Sequence, residues 1–72
     1  MKVSIAGQLS EVTRELALRR NTYPRLIGSR KMKQSEADLC MQRMEAVHQT
    51  LMFCQAYEAD IRAFIAAKNG DA

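Results

Sequence analysis

The chain has 72 residues, a formal net charge of +3 and 47% apolar residues. That length allows one domain at most. A chain this short buries only about 60% of the surface its unfolded form exposes, so it needs a disulfide, a metal or a partner chain as a staple.

Two of the three staples fail on the sequence. Cys40 and Cys54 lie fourteen residues apart. On one helix that separation is roughly 21 Å along the axis, and a disulfide needs Cα atoms within about 7 Å. Zinc has no CxxC or CxH pair to bind, and His48 is the only histidine. No cofactor is expected. Self-association is what remains. Apolar runs are too short for a membrane span, and the start, MKVSIAGQLSEV, is no signal peptide. Two unpaired cysteines and no export signal point to a reducing, cytoplasmic setting.

The first predicted element is a helix over about 4–27. Ile5, Leu9, Val12, Leu16, Arg19, Tyr23 and Leu26 recur at alternating steps of four and three, the rhythm of a helix seam. Ser4 is the candidate N-cap. Pro24 removes a hydrogen bond and crowds the carbonyl of Arg20. The helix either ends near Asn21, with Thr22 capping a short second piece, or runs on with a kink to Ile27. The seam keeps register across Pro24, which favours the kinked continuous helix.

A turn over 28–34 follows. Gly28 is placed to take the left-handed conformation that ends helices. Ser35 then opens a second helix over about 36–68, with Glu36 and Asp38 suiting its positive end. Its seam is Ala37, Cys40, Met44, Val47, Leu51, Cys54, Glu58, Ile61 and Ile65, and Asn69-Gly70 stops it. At roughly 50 Å it is longer than the first helix, so part of it overhangs or packs on another chain.

The fold class expected is therefore all-α: an antiparallel two-helix hairpin, kinked at Pro24, that dimerises into a four-helix bundle with helices crossing at about 20°. A turn near residue 31 puts Leu9 near Phe53, Val12 near Leu51, Leu16 near Val47, and Leu26 near Cys40 or Ala37. It puts Arg19 near Arg43 and Glu58 near the N-terminus, so neither charged seam residue finds a partner within one hairpin. They either snorkel to water or make a polar contact across a dimer.

Met41, Met52, Phe53, Tyr57 and Phe64 give the second helix more apolar surface than one partner covers. Such a stripe marks an interface, with a second copy or with another protein, or else is ordinary partial exposure. Arg19, Arg20, Arg25, Arg30, Lys31 and Lys33 make the turn end basic. That end is a solvated cap, a phosphate-binding patch for nucleic acid, or a match for an acidic protein surface. His48 and Glu45 could form an acid–base pair, but no nucleophile or oxyanion donor accompanies them, and no enzymatic activity is expected.

The segment from Glu15 to Leu51 carries Leu16 to Arg20, Tyr23-Pro24-Arg25, Gly28, Met32, Glu36-Ala37-Asp38, Met44-Glu45-Ala46 and Thr50-Leu51. This pattern resembles a group of small helical proteins encoded by bacteriophages and prophages. It covers about half the chain. The resemblance implies a phage origin and no activity; with the small size it points to a non-enzymatic accessory protein that binds a host or phage protein, or else to a purely structural oligomeric component. The part beyond Leu51, with its aromatic stripe, is then the segment expected to serve the partner.

Overall fold

The computed structural model describes residues 2–70. It contains three helices in chain order, α1 (Ile5–Gly28), α2 (Gln34–Ala56) and α3 (Glu58–Gly70), and no strand among the described residues. Ser4 caps α1 as expected. Its backbone is extended and its Oγ accepts from the Gly7 N–H at 3.0 Å, satisfying one of the orphan donors of the first turn. α1 then runs unbroken through Pro24 to Gly28.

The turn differs from expectation. Gly28 has no positive φ; Arg30 does, at 62°. Lys31 N–H donates to the Leu26 carbonyl at 2.9 Å and Arg30 N–H to the Ile27 carbonyl at 3.1 Å. These two bonds form a Schellman motif with Arg30 at its left-handed position. The chain reverses two residues later than the glycine suggests, because Gly28 is still helical. α2 also starts early. Lys33 is its extended N-cap and makes no side-chain capping bond. The Lys33 carbonyl accepts from Ala37 N–H at 3.0 Å, so Ser35 lies inside the first turn rather than capping it.

The long second helix is two helices. Tyr57 interrupts it at φ −111° and ψ 19°, although Tyr57 N–H still reaches the Phe53 carbonyl and Ile61 N–H the Tyr57 carbonyl. The break falls where α1 runs out. Ile5, the first residue of α1, lines the same groove as Cys54 and Ile61. No Cα of α3 comes within 8 Å of α1.

The core sits between α1 and α2 and is small. Leu9, Leu16 and Ala37 are its buried apolar residues. The molecule measures 57 × 21 × 20 Å, with a radius of gyration of 17.3 Å; about 11 Å is usual for a compact domain of this length. Its accessible surface is 5944 Å². A compact monomer of 8.2 kDa exposes about 4,500 Å². The excess, about 1,400 Å², exceeds the roughly 800 Å² that each partner buries in a standard interface.

Candidate interaction surface

Arg19 is the best-anchored charged residue. Its Nε donates to Glu15 Oε1 at 2.9 Å, and its Nη1 donates across the helix interface to the Cys40 carbonyl at 2.9 Å. Its guanidinium also lies 5.9 Å from the centre of the Tyr23 ring. The Glu15 hydrogen bond holds the guanidinium above its ordinary range, against partial burial. Burial likewise pushes the Tyr23 phenol up, with Arg19 opposing. Two expectations are corrected here. Arg19 faces Cys40 rather than Arg43, and it finds partners within one chain. The register differs by three residues, close to one helical turn.

Glu58 does lie near the N-terminus, lining a groove with Lys2, Val3, Ser4 and Ile5. It too has a partner within the chain. Arg62 Nη2 donates to Glu58 Oε1 at 2.7 Å.

The apolar stripe is largely wet. Met52 is 48% exposed, Phe53 60%, Tyr57 49% and Phe64 67%. Phe53 therefore faces outward and is not the partner of Leu9. Its ring meets Tyr57 at 4.8 Å, tilted by 45°. Met41 stands apart. It is half-buried in a cleft at the turn end with Tyr23, Pro24, Ile27 and Ala37.

Ile61 and Ile65 belong to the surface as well, although their spacing assigns them to the seam. They are 37% and 50% exposed, because α1 begins at Ile5 and brings no Cα within 8 Å of α3. The difference in helix length carried that signal. Beside them is an open groove of about 510 Å³, floored by Val3, Ile5, Cys54 and Ile61, with Lys2, Glu58 and Arg62 at its rim.

At the other end Arg20, Arg25, Arg30, Lys31 and Lys33 are exposed; Arg19 is engaged and lies outside that free patch. His48 and Glu45 share a shallow cleft with Thr13, Leu16 and Arg20, and neither makes a side-chain hydrogen bond among the described residues. Cys40 and Cys54 are free thiols, half-buried. No group of three metal-ligating side chains occurs among the described residues, and no helix is long and apolar enough to cross a membrane. Comparison with protein-family models, with curated proteins and with solved structures finds no match.

Proposed function

We propose that this chain is a non-enzymatic phage accessory protein that binds and modulates a host or phage protein through its helical surface, inside the host cytoplasm. Its working form is a homodimer of the α1–α2 hairpin, bent at Pro24. One observation carries the reading. Three buried apolar side chains hold the fold, while Met52, Phe53, Tyr57, Phe64 and Ile65 stand about half or more exposed along one end. Water does not tolerate a contiguous apolar stripe of that kind without cause, and exposed aromatic residues are what protein interfaces are built from. The resemblance of Glu15 to Leu51 to small phage proteins supports the origin, and the small size suits surface occlusion better than a preorganised catalytic pocket.

The test is capture from nuclease-treated host lysate by the tagged full chain, with identification of the bound protein and its titration against purified chain. Phe53→Asp should abolish the titrated complex. A complex indifferent to Phe53→Asp would remove the stripe from the function.

The second reading, nucleic-acid binding, draws on the exposed Arg20, Arg25, Arg30, Lys31 and Lys33. Lys and Arg clustered at one end suit phosphate.

A further inference from the structure

We infer that α3 is a self-association arm: each copy lays its arm antiparallel on the arm of the other, beside the groove at the start of α1. This rests on the docking role proposed for the stripe and names the occupant of its distal part.

Three observations select a second copy. The first is area. The excess of about 1,400 Å² per chain is what an ordinary dimer interface removes from water, and more. α3 supplies part of it without cover from its own chain, since every residue from Ile61 to Gly70 is exposed.

The second is register. Tyr57, Ile61, Phe64 and Lys68 recur at steps of four, three and four, a seam along the arm. A twofold axis between Ile61 and Phe64 sets Ile61 of one copy against Phe64 of the other, twice. The same axis carries Ile65 to Asp60 of the other copy, next to the Ile61 that lines the groove with Val3, Ile5 and Cys54.

The third is charge. The arm begins with Glu58 and Asp60 and ends with Lys68. Asp60 and Lys68 take part in no ion pair among the described residues. The antiparallel register lays Lys68 over Tyr57 of the other copy, beside the first turn of the arm that carries its Glu58 and Asp60. A parallel pairing would set Asp60 against Asp60 and Lys68 against Lys68. Opposite charges across a seam fix partner and direction, and these two fix the antiparallel self-complex.

The test is sedimentation equilibrium of the full chain at low salt, with circular dichroism of each variant. A dimer is expected. Phe64→Asp should weaken it about a hundredfold or more with helicity retained, since Phe64 is 67% exposed. Lys68→Glu should weaken it about fivefold, because two exposed pairs are lost together. The swap Asp60→Lys with Lys68→Glu should recover most of that loss.

A chain monomeric at high concentration, or a dimer indifferent to Phe64→Asp, overturns the arm. A dimer that Phe64→Asp dissociates but Lys68→Glu does not weaken, or that the swap does not restore, overturns the antiparallel register. Neither result touches capture of a heterologous protein through Phe53, which is read separately.

Discussion

Arg19 donates to the backbone carbonyl of Cys40 at 2.9 Å, joining the middle of α1 to α2. Helix carbonyls already accept from within their own helix, so this is a second bond to one oxygen, made by a charged donor. Charge-assisted bonds of this kind contribute about 1.5–3 kcal/mol. Arg19→Met keeps the stem that packs beside Tyr23 and removes the donor. It should lower stability by about 1.5–2 kcal/mol in urea unfolding. Glu15→Gln, which touches only the half-exposed side of the same guanidinium, should cost about 0.5 kcal/mol or less. Equal losses would mean that the inter-helix bond carries none of the difference.

The turn supports a second prediction with two opposite substitutions, both expected to stabilise. A residue other than glycine held in the left-handed region costs about 1–2 kcal/mol, and Arg30 is held there at φ 62°. Arg30→Gly should therefore stabilise by up to about 1 kcal/mol, the entropy of glycine offsetting the rest. Gly28 is helical, and an added Cβ there meets nothing within 4 Å. Gly28→Ala should also stabilise, by up to about 1 kcal/mol. Were Gly28 the left-handed residue, alanine would destabilise instead. Thermal unfolding of the two single variants reads both signs directly.

That turn shows where sequence reading stops. The seam periodicity, the Ser4 cap, the helical class and the proximity of Glu58 to the N-terminus were legible, because each depends on local spacing or on approximate loop position. The residue that takes positive φ was not. Glycine is permitted there but not required, and the choice was settled by where the last turn of α1 closed. The partners of Arg19 were not legible for a related reason. A three-residue change in facing register replaces Arg43 with Cys40, and only tertiary packing fixes that register. The break at Tyr57 carries no proline or glycine to announce it. The exposure of Phe53, Tyr57 and Phe64 was legible as a second stripe. The exposure of Ile61 and Ile65 was legible only from comparing the lengths of two helices.

Tyr23 makes stability depend on alkaline pH. Burial raises its phenol above the ordinary value, so in the alkaline range the unfolded chain gives up this proton before the folded chain does. The stabilisation is fully present below the unfolded tyrosine value of about 10 and is lost as pH rises through the folded value. Tyr57→Phe leaves Tyr23 as the sole tyrosine, since the chain has two. Ultraviolet titration of that variant should give a phenolate midpoint above about 10 in the folded state, falling to about 10 in denaturant. A folded midpoint below the denatured one would reverse the sign.

Ala37 is the most enclosed of the three core residues, at 3% exposure. It lines the cleft where α2 meets Tyr23, Pro24 and Ile27. Ala37→Leu overfills this approach and should cost about 1–3 kcal/mol. Leu16→Ala, at 6% exposure, should cost about 2–4 kcal/mol by leaving a cavity. With so small a core either loss is a large part of the total. Differential scanning calorimetry should show both variants melting below the parent, and a variant melting at the parent temperature would mean that its site relaxes freely.

The basic end separates the two functional readings. Arg25, Arg30 and Lys31 are exposed and free of ion pairs among the described residues, whereas Arg19 is committed to Glu15 and Cys40. In a dimer joined through α3 the two basic turns lie at opposite poles, so each meets phosphate alone and their fields do not add. A single patch of this size releases few counterions, and its attraction for duplex DNA should vanish by physiological salt. Neutralising Arg25, Arg30 and Lys31 together should reduce the slope of log affinity against log salt by about 2.7, and Arg19→Gln should leave it unchanged. Fluorescence anisotropy of a labelled duplex across a salt series measures both. Duplex binding that survives physiological salt and depends on these three residues would place the function at the turn rather than at the arm.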